Sequence, residues 1–350
     1  MSEQPLLDVQ DLTMVYKTRK GMVSAIDSVS FTLRHGESMG LVGESGCGKT
    51  SIAMTLLRLM ADNAIIQKGK ILLDGQDLVK MSEQQIRDVR WRKISMVFQA
   101  AMNALNPVTR VGDQILEAIY HHEPNITNSD ARERVVELFK LVGIDAKMID
   151  RYPHEFSGGM RQRAIIAMAL ACNPALIIAD EPTTALDVIV QDQVLRELRR
   201  IQKELNMSMI YISHDIAVIA EVAEKIGVMY AGRMVELADS REIFKRPRHP
   251  YTSALMSAFP SIIGPKVKLE ALGGEPPDLL FPPSGCRFHP RCPFASERCV
   301  NEQPPFIPVS HTPTSGEGVQ HMVACWYPVA VEGEVLSVGS AAPLAGMEVN

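Results

Sequence analysis

Apolar and polar residues alternate along residues 6–16 and 23–33, with β-branched side chains among them. This pattern predicts strands of an antiparallel sheet. Residues 37–43 predict a short buried strand followed by a glycine-rich turn. Over residues 50–60 the period becomes helical, with Ile52, Leu56, Leu57 and Met60 on one face. Residues 69–78 predict a hairpin turning at Asp74-Gly75, and residues 94–98 a further apolar strand. Residues 101–170 change character, with helices predicted over 111–121, 129–142 and 157–171 and Ser129 as a suitable N-cap. Residues 175–179 are continuously apolar, as in a strand buried on both faces. A charged amphipathic helix is predicted over 191–205, a strand over 207–213, and a hairpin over 225–237 turning at Ala231-Gly232. Strands alternating with helices predict an α/β fold with a mainly parallel core sheet. After about Pro247 prolines crowd and periodicity is lost, which predicts a separate, small, loop-rich unit. From 331 to 350 few charges and no period remain, as expected of a disordered tail.

Composition narrows the picture. A chain of 350 residues carries a prior of about two domains. Its 36 Lys and Arg against 41 Asp and Glu give a net charge of −5, which speaks against a nucleic-acid binder working by bulk charge. The N-terminus lacks the basic and apolar regions of a signal peptide. The richest apolar stretch, 164–179, is interrupted by Pro174 and is shorter than the ~20 residues of a spanning helix. The chain is therefore expected to be soluble, or held at a membrane only through partners. Four of its six cysteines lie between Cys286 and Cys325.

The candidate chemistry begins at Gly43, Glu44, Ser45, Gly46, Cys47, Gly48, Lys49 and Thr50, which match G-x-x-x-x-G-K-[ST] between a predicted strand and a predicted helix. Glycines let successive N–H groups turn around a phosphate, Lys49 supplies a point charge, and the Thr50 hydroxyl can ligate Mg²⁺. The apolar strand ending at Asp180 and Glu181 adds one acid for Mg²⁺, through water, and one general base for the attacking water. Ser157, Gly158 and Gly159 open a helix and form a second anion-binding N-terminus. Two anion sites with one set of acids suggest that the second faces a phosphate held by another subunit.

These motifs, with Gln99 after a strand, Ala185-Leu186-Asp187 and His214, stand in the order and spacing of ATP-binding cassette (ABC) ATPases, which residues 6–245 resemble. Phe156 and Met160 depart from the Leu and Gln more usual beside Ser157-Gly-Gly159. The resemblance implies a P-loop cassette with a mixed-sheet core, an antiparallel β subdomain and an α-helical subdomain. It also implies ATP and Mg²⁺ as ligands. Tyr16 would stack on adenine, the alternative being a packing tyrosine. Gln99 would touch Mg²⁺ and sense a membrane subunit, Ser51 would join the phosphate contacts, and His214 would contact the γ-phosphate. Ser157, Gly158, Gly159 and Asp187 would meet the nucleotide of a second cassette.

Residues 102–107 (Met-Asn-Ala-Leu-Asn-Pro), 248–252 (Arg-His-Pro-Tyr-Thr) and the segment 272–328 resemble oligopeptide/dipeptide permease ATPases of the D-subunit type. That resemblance implies a cassette over 1–250 and an extension over 251–330. It implies a sister ATPase, hence a heterodimer, two transmembrane permease subunits, an extracytoplasmic solute-binding protein and a place on the cytoplasmic face of the inner membrane. Oligosaccharides or nickel are alternative cargoes, and a non-transport cassette is a rival. Some relatives carry a [4Fe–4S] cluster on this extension, which points to Cys286, Cys292, Cys299 and Cys325 as ligands. Their spacing, C-x5-C-x6-C-x25-C, leaves zinc or no metal as alternatives.

Overall fold

The computed structural model describes residues 4–99, 104–184, 186–257, 273–309 and 320–329. The tail predicted over 331–350, Ala185, and Met102 and Asn103 lie outside them.

The alternating N-terminal segments form β1 (Leu7–Thr18) and β2 (Gly21–Leu33), paired antiparallel. β1 also pairs with β4 (Ala64–Leu73), which turns into β5 (Gln76–Asp77). Asp74 and Gly75 both take positive φ at that turn, the geometry for which Asp-Gly is suited.

The larger sheet holds β3 (Ser38–Val42), β6 (Ile94–Val97), β7 (Leu176–Asp180), β8 (Ser208–Ile212), β9 (Lys225–Tyr230) and β10 (Arg233–Asp239). Two short strands, β11 (Ile307–Pro308) and β12 (Met322–Val323), complete the order β11-β12-β10-β9-β3-β8-β7-β6. Strands β9, β3, β8, β7 and β6 run parallel.

β7 shows why the unbroken apolar run makes sense. Leu176 and Ile178 enter one core with β1, β2 and the first helix, while Ile177 and Ala179 enter the other. β8 divides likewise, with Ile210 and Ile212 against Met209 and Tyr211. Each fully buried aliphatic side chain of this kind contributes about 1.5–3 kcal/mol.

The first core includes α1 (Lys49–Leu56). The second is covered by α3 (Val111–His122), α4 (Asn128–Leu141), α5 (Gly158–Leu170), α6 (Val188–Glu204) and α7 (Ile216–Val222). A short α2 (Glu83–Val89) precedes β6. Two details differ from the sequence pattern. α1 stops at Leu56, and Arg58 follows in a left-handed conformation, so Met60 is not helical. The N-cap of α4 is Thr127, whose hydroxyl accepts the Asp130 N–H, because Ser129 already lies inside the first turn.

The chain beyond Pro247 adds to the cassette's sheet. β12 pairs with β10, and the buried Glu236 of β10 accepts the Arg248 and His249 N–H groups at 2.6 and 2.9 Å. The same carboxylate meets His321 Nε2 at 2.7 Å. This fully enclosed acid ties the start of α9 (Pro250–Ser257), which follows a short α8 (Ser240–Lys245), and the C-terminal strands to one point.

Candidate functional site: a phosphate loop at the edge of the parallel sheet

Because β3, β8, β7 and β6 are parallel neighbours, the loops at their carboxyl ends share one edge of the sheet. That edge is where α/β sheets bind ligands. It receives the loop after β3, Asp180 and Glu181 after β7, His214 after β8 and Gln99 after β6.

Two glycines make the phosphate loop possible. A Cβ on Gly43 would lie 2.2 Å from the Met229 carbonyl oxygen, and one on Gly48 would lie 2.3 Å from that of Ala25. Both take positive φ. A Cβ on Gly46 would meet nothing within 4 Å, so the mouth of the loop is open there, beside exposed Ser45 and Thr50. Beneath it Lys49 is buried, and its Nζ donates to the Gly43 and Glu44 carbonyls at 2.6 and 3.1 Å. The buried Cys47 thiol lies 3.6 Å from the same nitrogen. Tyr16 Oη stands 3.3 Å from the Ser51 hydroxyl, in the first turn of α1.

Asp180 is buried at the tip of β7. Burial raises its pKa, opposed by a hydrogen bond from Thr50 and by the charge of Lys49. Its Oδ1 has no hydrogen-bond partner. A buried anionic oxygen without a partner is costly unless something outside the chain satisfies it.

Glu181 takes φ +50°, a conformation that costs a non-glycine residue about 1–3 kcal/mol. Its carboxylate accepts the His214 N–H at 3.0 Å, meets His214 Nδ1 at 2.7 Å, and accepts the Thr184 hydroxyl at 3.1 Å. The two groups that the sequence assigns to water and to γ-phosphate are thus bonded to each other. The sequence motif did not single out Thr184 as a partner of Glu181. Gln99 is exposed on the turn after β6.

Ser157 caps α5 by accepting the Met160 N–H, and Asp187 caps α6 by accepting the Val190 N–H at 2.9 Å. Ser157, Gly158, Gly159, Leu186, Asp187 and Val190 line one groove, to which the phosphate loop contributes no residue. Val188 and Ile189, the next two residues after Asp187, are 82% and 72% exposed.

A family model described as "ABC transporter" matches residues 26–184, and one described as "Oligopeptide/dipeptide transporter, C-terminal region" matches residues 235–299. The chain is 45% identical over 325 residues to the oligopeptide transport ATP-binding protein OppD of Bacillus subtilis, covering 92% of this chain and 88% of that one. It is 44% identical over 314 residues to the dipeptide transport ATP-binding protein DppD of Lactococcus lactis, covering 89% and 90%. This chain belongs to the oligopeptide/dipeptide ABC transporter ATPase family. Solved structures agree on the cassette. A dimeric ATP-binding cassette, MJ0796, bound to ADP and Pi aligns with TM-score 0.60 and 25% identity over 67% of this chain and 99% of that one. The cbiO1 cassette of Clostridium perfringens aligns with TM-score 0.61 and 26% identity over 70% and 92%. The fold is the α/β P-loop cassette, and the activity of the family is that of an ATPase.

In this peptide-transporter ATPase the four clustered cysteines do not form the iron–sulfur site expected from the resemblance. Cys286, Cys292, Cys299 and Cys325 line one cavity with Phe288, Phe294, Trp326 and Tyr327. Among the described residues, however, no group of three or more His, Cys, Asp or Glu could hold a metal ion. The cavity has about 10 Å³ of free space, room for one water and far too little for a cubane. Burial raises the Cys286 and Cys325 thiols and lifts Cys292 to about 11. Cys299 sits 3.5 Å from the Ser296 hydroxyl.

The arginines among those cysteines have partners in the cassette. Arg287 bonds Asp27 of β2 and the Ala231 carbonyl, and Arg291 bonds Glu44 of the phosphate loop at 2.7 and 2.9 Å. The sequence carries no signal for either pair. Arg298 instead stacks on Trp326, 3.5 Å from the ring centroid, and pairs with Glu302.

Proposed function

We propose that this chain is the ATP-hydrolysing subunit of an importer of di- and oligopeptides, with the site residues acting in the roles their motifs imply. The observation that carries the proposal is the joining, in one chain, of the cassette and the peptide-transporter C-terminal region, at 45% identity to OppD over 92% of its length.

ATP enters at the open mouth of the loop. Its phosphates accept N–H groups of residues 43–51 and draw Lys49 Nζ from the neutral carbonyls it now meets to oxyanions, which are stronger acceptors. Tyr16 stacks on adenine. Glu181, released from His214, orients and deprotonates the attacking water, and His214 turns to the γ-phosphate. Ser157, Gly158, Gly159 and Asp187 contact the ATP of the second cassette, and the exposed Val188 and Ile189 flank that interface.

Thr50, Gln99 and Asp180 would hold Mg²⁺. An all-oxygen donor set suits this hard cation, and Asp180 Oδ1 has no other partner. When bound, the ion offsets the negative charge of the β- and γ-phosphates.

Among the described residues no helix is long and apolar enough to cross a membrane. The transport pathway in this proposal therefore lies in two permease subunits. The ATPase sits on their cytoplasmic face, pairs with a sister ATPase and works with an extracytoplasmic solute-binding protein. Closure on ATP and opening after hydrolysis bias the permeases between two states.

Proteoliposomes holding the four membrane-associated subunits and the binding protein test this directly. ATP-dependent uptake of labelled di- and tripeptides is expected. Uptake of an oligosaccharide or Ni²⁺ instead of peptide would overturn the cargo, and uptake that continues in a Lys49→Ala assembly would overturn the coupling to this site.

A further inference from the structure

We propose that Arg291, from the C-terminal extension, is a positioning residue for ATP: it cancels the Glu44 carboxylate inside the phosphate loop and fixes the loop's first turn. The proposal rests on the ATP site assigned above and deepens it.

Glu44 is the second residue of a loop that must accept a polyanion, and it neighbours the open mouth at Ser45 and Gly46. A bare carboxylate there would repel a triphosphate. Arg291 meets it as a two-pronged fork, Nη1 to Oε2 at 2.7 Å and Nη2 to Oε1 at 2.9 Å. This bidentate geometry is the strongest form of the pair. The Arg291 side chain is only 6% exposed, so salt screens the pair weakly.

Nothing about the guanidinium is loose. Its Nε donates to the Gly273 carbonyl at 2.9 Å, Nη1 also reaches Tyr230 Oη at 3.3 Å, and the group lies 5.7 Å from the centroid of the Tyr230 ring. The backbone of Glu44 is held as well, since its N–H donates to Tyr251 Oη at 3.0 Å. Its carbonyl accepts Lys49 Nζ. A residue in direct contact with the phosphate-binding lysine is therefore held by α9 at its backbone and by the extension at its side chain.

The test uses the full chain, titrated with ATP and assayed for steady-state hydrolysis. For Arg291→Gln the expected result is a rise of about tenfold in Kd and KM for ATP, with kcat within about twofold of wild type. Adding Glu44→Gln to that variant removes the uncompensated carboxylate and should recover most of the lost affinity. Arg291→Lys, which keeps the charge without the fork, should fall between wild type and Arg291→Gln and remain folded. An unchanged KM in Arg291→Gln, or a double variant as impaired as the single one, would overturn the proposal and leave Arg291 with packing alone. If wild type binds no ATP at all, the ATP site itself falls, and the proposal with it.

Discussion

The acid limb of this protein's stability should be set in part by His249. Its ring is buried, Nδ1 accepts the Tyr251 N–H at 3.1 Å, and Phe288 lies 5.7 Å away between centroids. Burial lowers its pKa from 6.5 to about 4, the charge of Glu236 opposing only in part. The folded ring is thus neutral down to about pH 4, while the unfolded ring takes a proton below about 6.5. The unfolded state binds more protons between those values, so stability falls as pH drops through that window and is flat above it. A difference of about 2.5 units corresponds to about 3 kcal/mol, lost in full below pH 4. Denaturant midpoints of wild type and His249→Asn, measured from pH 4 to 8, isolate this contribution. The variant is less stable at pH 8, because the smaller amide, which can still accept the Tyr251 N–H, leaves space beside Phe288 that the ring filled, but its curve should be shallower between about pH 6.5 and 4. Parallel curves would refute the reasoning.

Other perturbations follow from the same geometry. Gly48→Ala places a methyl 2.3 Å from the Ala25 carbonyl oxygen at φ 106°, so the loop must distort at a cost of at least about 2 kcal/mol. Calorimetric titration with ATP should show affinity reduced at least about thirtyfold. Lys225→Met removes a buried cation that Glu37 meets at 2.7 Å, with side chains 4% and 12% exposed. An uncompensated buried carboxylate costs about 3–5 kcal/mol, readable in the unfolding midpoint at pH 7. Restoring the charge with Lys225→Arg should recover part of it.

How much the sequence reveals depends on the range of the interaction. The two-faced run at residues 175–179, the Asp74-Gly75 turn and the Ala231-Gly232 turn are local, and each stands where its pattern puts it. Cap chemistry is local too, yet Thr127 and Ser129 both offer a hydroxyl, and only the backbone shows that Thr127 precedes the helix. The bond between Glu181 and His214 joins two motifs separated by 33 residues, and each was legible alone but not their mutual contact. The Arg291 to Glu44 pair spans 247 residues and has no periodicity to betray it. The cysteines show the limit of spacing as evidence. Four thiols can line one cavity and still lack the room and the grouping that a cluster requires.

The most direct test of the central claim is hydrolysis by the Glu181→Gln chain. This substitution keeps the size of the side chain and its acceptor for Thr184, but it removes the carboxylate proposed as the base. The variant should bind ATP about as well as wild type and release phosphate at least about a hundredfold more slowly. Phosphate release at the wild-type rate would contradict it.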